Sequence, residues 1–94
     1  VLDTVRGSGA AGMRVQLRRG GEAIADLLLD ATGRATLLST LQTGGYEILF
    51  HAGDYQGADF FDVIPIRFHV ADAAQHYHVP LILSPFGYST YRGG

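Results

Sequence analysis

Val63-Ile64-Pro65-Ile66-Arg67-Phe68-His69-Val70 is the stretch that decides the fold. Ile64, Ile66, Phe68 and Val70 fall on one side of an extended chain, with Pro65, Arg67 and His69 on the other. This period of two is that of a strand with one buried face. Pro65 has no N–H to give to a central ladder, so the strand belongs at a sheet edge or begins there. Working toward the N-terminus, Tyr46, Ile48 and Phe50 repeat the pattern after Gly44-Gly45. Met13, Val15 and Leu17 alternate with Arg14, Gln16 and Arg18 in another such strand, and Gly20-Gly21 turns the chain. Glu22 to Asp30 suits either strand or helix; its strand neighbours and short length favour strand. Asp30-Ala31-Thr32-Gly33 reads as a turn with Gly33 at positive φ, followed by Arg34 and a brief extended piece, Ala35 to Leu38. Val1 to Val5 is a short strand candidate, Arg6 to Gly12 a loop of small residues, and Ala52 to Asp59 one or two helical turns.

Toward the C-terminus, Ala71 to Gln75 links to His76-Tyr77-His78-Val79-Pro80-Leu81-Ile82-Leu83. In an extended chain His76 and His78 share one face, while Tyr77, Val79, Leu81 and Leu83 share the other. Ser84-Pro85-Phe86-Gly87 reads as a turn, Gly87 permitting φ > 0, and Tyr88 to Tyr91 as a last short strand. The sum is an all-β fold: a two-sheet β-sandwich of seven or eight strands with one short helix. The 94 residues make one domain, 1–94.

Composition narrows the function. Hydrophobic residues make up 47% of the chain, enough for a core, and the net charge of −2 gives no reason to expect nucleic acid or an anionic membrane as partner. All seven basic residues are arginine, which removes lysine Schiff bases and lysine nucleophiles from consideration. Cysteine is absent, which excludes disulfides, zinc–thiolate sites and thiol catalysis. No apolar run approaches membrane-spanning length. The chain starts at Val1 without an initiator methionine or a signal-peptide pattern, so residues upstream of it are expected. A small domain without disulfides commonly gains stability by oligomerising.

Three readings stay open for His76 and His78: hydrogen-bonded structural histidines, a metal pair lacking evident third and fourth ligands, or an acid–base group that titrates near neutral pH. Arg34 is by position a solvated turn residue, yet its planar fork of donors suits a flat, anionic, carbonyl-rich ligand. The same argument applies more weakly to Arg92. Ser84, Ser89 and Thr90 lack a nucleophile elbow and an acid to orient a histidine. His51 and His69 read as ordinary strand histidines, Asp3 and Asp30 as turn or cap formers. Gly7, Gly9 and Gly12 do not lead from a strand into a helix, so phosphate binding is dismissed.

The string from His76-Tyr77-His78-Val79-Pro80 through Ser84-Pro85-Phe86-Gly87-Tyr88-Ser89-Thr90-Tyr91 to Arg92-Gly93 resembles the C-terminal signature of the 5-hydroxyisourate hydrolases, the enzymatic branch of the transthyretin-like proteins. Val1-Leu2-Asp3-Thr4, Arg6-Gly7, Thr32-Gly33-Arg34 and Ala71-Asp72 extend the likeness over nearly the whole chain, with shorter loops around Arg19 to Glu22. The resemblance implies a transthyretin-like sandwich assembled as a homotetramer, a dimer of dimers with active sites in the channel between dimers, and no cofactor or metal. It implies hydrolysis of 5-hydroxyisourate to 2-oxo-4-hydroxy-4-carboxy-5-ureidoimidazoline in urate degradation, the work of a cyclic amide hydrolase. Carried over by position, the catalytic histidine falls on His78, the catalytic and substrate-binding arginine on Arg34, and further substrate contacts on Tyr91 and Arg92. The family has another histidine immediately before its Val-Leu-Asp, a position that precedes Val1, and ends in serine where this chain has Gly94. The alternative is a non-catalytic transthyretin-like carrier of a small aromatic ligand in the tetramer channel; a β-sandwich interaction module without a small-molecule site comes third. The compartment is left open, with cytoplasm favoured over periplasm and peroxisome.

Overall fold

The computed structural model describes residues 1–57 and 60–94. Its elements run β1 (Leu2–Asp3), β2 (Ser8–Gly9), β3 (Arg14–Arg19), β4 (Glu22–Leu28), β5 (Gly44–His51), α1 (Ala52–Gln56), β6 (Val63–Val70), β7 (Leu81–Ser84) and β8 (Gly87–Thr90). Two four-stranded sheets form, in the orders β2-β1-β7-β8 and β4-β3-β5-β6. All pairings are antiparallel except β1 with β7. The alternating residues read from the sequence are the ones that close the sandwich. Met13, Val15, Leu17, Tyr46, Ile48, Phe50, Ile64 and Val70 are buried on one sheet, and Leu81 and Leu83 face them from the other. β6 is an edge strand, paired only with β5, as Pro65 requires.

The ambiguous Glu22 segment is a strand. It pairs with β3 through a bulge between Leu17 and Arg18, and the Gly20-Gly21 hairpin turn takes φ of 58° and 83°, the doubly positive combination of a tight two-residue loop. Neither of its faces is buried: Ile24, Leu27 and Leu28 are all exposed, which explains why its periodicity carried so little information.

Several sequence expectations are corrected. The Val1 to Val5 strand is only Leu2–Asp3, because the Asp3 carboxylate accepts the Val5 and Arg6 amides (2.9 and 3.2 Å) and bends the chain. The loop that follows contains β2, which pairs back onto β1. Ala35 to Leu38 joins no sheet ladder, and Leu37, Leu38 and Leu41 pack on the core. The last hairpin starts at Leu81 rather than His76, since Pro80 has no N–H for the ladder, although His78 makes an isolated bridge to Gly93. Gly87 pairs with Ser84 without entering the left-handed region. The helix ends at Gln56, and the Ala58-Asp59 end of the expected helical turns lies outside the described residues.

Candidate active site

Two segments approach each other across one end of the sandwich, and a cleft of about 590 Å³ lies between them. The first is the corner after β4. One oxygen of Asp30 accepts the Thr32 amide (2.8 Å), the Thr32 hydroxyl (2.6 Å) and the Arg34 amide (3.1 Å), while the Asp30 amide donates to the Arg34 carbonyl at 2.9 Å. The Thr32 hydroxyl, followed by the Arg34 and Thr32 amides, holds the Asp30 carboxyl below the usual carboxylate range. Gly33 is buried in the bend at φ 76°; a Cβ there would lie 2.6 Å from both the Ala10 nitrogen and the Val1 oxygen. Position 33 therefore needs glycine for its dihedral and for its space. Arg34 follows with its side chain exposed at the cleft.

The second segment leads into β7. Tyr77 and Val79 pack against the core, which leaves His76 and His78 exposed on the opposite side, the alternation the sequence implied. The Tyr77 hydroxyl accepts the Ala71 and Asp72 amides at 3.1 and 3.2 Å, pinning the preceding turn. Arg34, His76 and His78 thus supply polar groups to a cleft whose apolar lining includes Leu17, Ile48 and Phe50.

The C-terminal tail forms a third part. It runs antiparallel to the His78 segment, with the Gly93 amide donating to the His78 carbonyl at 2.8 Å and the Thr90 hydroxyl to the Pro80 carbonyl at 2.7 Å. The Arg92 guanidinium lies 4.4 Å from the Tyr77 ring centroid and donates to Gln75 Oε1 at 3.0 Å. Tyr91 is more than half exposed. Of the four site residues taken from the sequence, Arg34 and His78 line the cleft; Tyr91 and Arg92 sit on the tail outside its lining. His76, left without a definite role in the sequence analysis, lines the cleft with Arg34 and His78. Gln75 and Tyr77, which anchor Arg92, escaped sequence reading because neither type signals a site; the aromatic beside a basic tail was the one available cue.

The remaining candidates are engaged elsewhere. Ser84 pairs with the Thr4 hydroxyl at 2.8 Å, and His51 Nε2 with Gln16 Oε1 at 2.8 Å. Asp3 and Asp30 are indeed turn formers, and Asp3 also accepts the Tyr55 hydroxyl at 2.7 Å. Among the described residues no three His, Asp or Glu side chains gather closely enough to hold a metal ion. What the cleft offers is two exposed imidazoles and a guanidinium, groups able in general to take up a proton and to donate a planar fork of hydrogen bonds.

The sequence matches the HIUase/Transthyretin family over residues 1–93. It is 45% identical to a 5-hydroxyisourate hydrolase of Deinococcus radiodurans, with 99% of this chain and 91% of that protein covered. Among solved structures, the Klebsiella pneumoniae 5-hydroxyisourate hydrolase superposes with a TM-score of 0.90 at 33% identity, covering 99% of this chain and 92% of that one. The transthyretin of Sparus aurata superposes with a TM-score of 0.88 at 28% identity, covering 98% and 90%. With a sandwich of this topology and a match spanning all but the last residue, the chain belongs to the HIUase/Transthyretin family.

Proposed function

We propose that this protein is a cyclic amide hydrolase that opens 5-hydroxyisourate to 2-oxo-4-hydroxy-4-carboxy-5-ureidoimidazoline, a step of urate degradation. The observation that carries the reading is the placement of His78 and Arg34 on one cleft, in a chain whose relative from Deinococcus radiodurans is a 5-hydroxyisourate hydrolase. His78 takes a proton from water as the water adds to the lactam carbonyl, with no covalent intermediate. Arg34 pairs with the substrate's oxygens and stabilises the negative charge of the tetrahedral transition state. Tyr91 and Arg92 hold the ring from the tail.

Residues 1–94 act as a single domain in this proposal, and four copies assemble as a dimer of dimers. Self-association is supported by the free outer edges of β6 and β8, beside exposed Phe60, Val63, Phe86 and Tyr88. Unpaired strand edges flanked by apolar side chains are surfaces that a second copy can cover.

The test follows the ultraviolet absorbance of freshly made 5-hydroxyisourate with protein and in a buffer blank, since the substrate also decays unaided. Acceleration that His78→Ala abolishes supports the reading. Decay at the blank rate, together with tight binding of a small aromatic ligand, would replace it with the carrier.

A further inference from the structure

We infer that Gly93 is a positioning residue for His78: its missing side chain is the space into which the imidazole is seated. The inference rests on the proposed function for its catalytic meaning and on geometry for its substance. The tail is tied to the His78 backbone by the Gly93 amide, 2.8 Å from the His78 carbonyl, so the two residues are held in register. An ideal Cβ built on Gly93 would overlap His78 Nδ1 and lie 2.8 Å from Cγ and 3.1 Å from the histidine Cβ. These are its three nearest neighbours, so the tail backbone covers the Nδ1–Cγ side of the ring. Nε2 is then the nitrogen turned away from the tail, and the one available to handle a proton.

Gly93 differs in kind from Gly33. Its φ is not in the left-handed region, so an alanine would suffer no backbone strain there. At Gly33 an added methyl meets backbone; at Gly93 its two tightest contacts are with the His78 ring, which can rotate, and the third is with the His78 Cβ at 3.1 Å. A methyl at position 93 therefore displaces the imidazole before it displaces the sheet. Arg92, stacked on Tyr77 and bonded to Gln75 from the adjoining position, fixes the tail that makes this seat. A base displaced by about 1 Å loses roughly a hundredfold in rate without losing its ligand.

The test compares wild type, Gly93→Ala, His78→Ala, the double variant, and Gly45→Ala, a site where an added Cβ meets nothing within 4 Å. Hydrolysis of 5-hydroxyisourate is measured alongside NMR titration of the His78 ring, assigned by its disappearance in His78→Ala. Gly93→Ala is expected to lower kcat about 10- to 100-fold with KM within about threefold, and to move the His78 titration midpoint or tautomer. The double variant should be no slower than His78→Ala, and Gly45→Ala should match wild type. Should Gly93→Ala lower the unfolding midpoint, removing the ring in the double variant must restore it. Wild-type kcat and an unmoved titration in Gly93→Ala overturn the inference, as does a double variant as unstable as Gly93→Ala alone. A wild type that fails to accelerate decay, while Gly93→Ala still moves the His78 titration, sinks the proposed activity and leaves the seat standing.

Discussion

Replacing Tyr55 by Phe removes one oxygen from the best-satisfied buried charge in the described structure. Asp3 is 5% exposed and its carboxylate accepts the Tyr55 hydroxyl at 2.7 Å, the Val5 amide at 2.9 Å and the Arg6 amide at 3.2 Å, with the Arg6 guanidinium 3.7 Å away. The phenylalanine keeps the ring, its volume and its position under Arg6, so the loss is confined to one charge-assisted hydrogen bond. Such bonds to charged groups contribute about 1.5–3 kcal/mol. With a urea dependence of about 1–1.5 kcal/mol per molar for a domain this small, the unfolding midpoint should fall by about 1–3 M. Wild type and variant must be compared at one protein concentration, because an assembly's stability depends on it.

The pH dependence gives the second arm. Burial by itself would raise the Asp3 carboxyl; the Tyr55 hydroxyl, the Arg6 and Val5 amides and the Arg6 guanidinium outweigh it and hold the group below the usual carboxylate range. A carboxyl depressed in the folded state contributes stability that is full above its unfolded value of about 4 and is lost as pH falls through the lower folded value. The gap between wild type and Tyr55→Phe should therefore be widest near neutrality and shrink below about pH 4, toward the ~1 kcal/mol of a bond between neutral partners. A neutral-pH difference under about 0.5 kcal/mol, or a gap that widens as pH falls below about 4, would refute the claim that Tyr55 acts through the ionised Asp3.

The remaining predictions concern the cleft. His78→Ala should depress kcat by about two to four orders of magnitude on 5-hydroxyisourate, and a near-wild-type rate removes it from the base role. Arg34→Lys should lose about 10²–10³-fold in turnover because an ammonium cannot reproduce the planar donor fork; full activity would show that only the charge matters. Gly33→Ala should cost at least about 1–3 kcal/mol in urea unfolding, since it combines a φ of 76° with backbone contacts at 2.6 Å, and an unchanged midpoint would mean that the corner adjusts freely.

How much could be read in advance depended on burial. β3, β5 and β6 each have one buried face, so a period of two is imprinted on their residues: Met13, Val15 and Leu17 are all nearly inaccessible while Arg14, Gln16 and Arg18 are not. β4 has no buried face, hence no imprint. Leu37, Leu38 and Leu41 carry the apolar content of a strand but join no ladder, and composition cannot tell packing on the core from pairing in a sheet. β2 exists because Asp3 turns the chain back on β1, which depends on where one carboxylate finds its donors. In the site, the Asp-x-Thr-Gly turn before Arg34 was legible because the bonds of its Asp30 carboxylate are local. The pairing of the tail with the His78 arm follows from the hairpin turn at Ser84 to Gly87, whereas the close seat of the Gly93 backbone on the His78 ring depends on side-chain placement that no pattern records.

Asp3 and Asp30 show why the fold and the cleft can be perturbed separately. Each uses a single carboxylate to gather amides two to four residues ahead, the same local chemistry. Asp3 is buried and adds a partner from α1, Tyr55, so it ties β1 to the helix and its loss propagates through the sandwich. Asp30 is exposed and its carboxylate takes its hydrogen bonds from residues 32 and 34, so its influence ends where Arg34 begins. One acid therefore belongs to the stability of the whole domain and the other to the aim of one guanidinium. Gly33, buried against Ala10 and Val1, is the point at which the corner that carries Arg34 is fastened to the residue before the first strand.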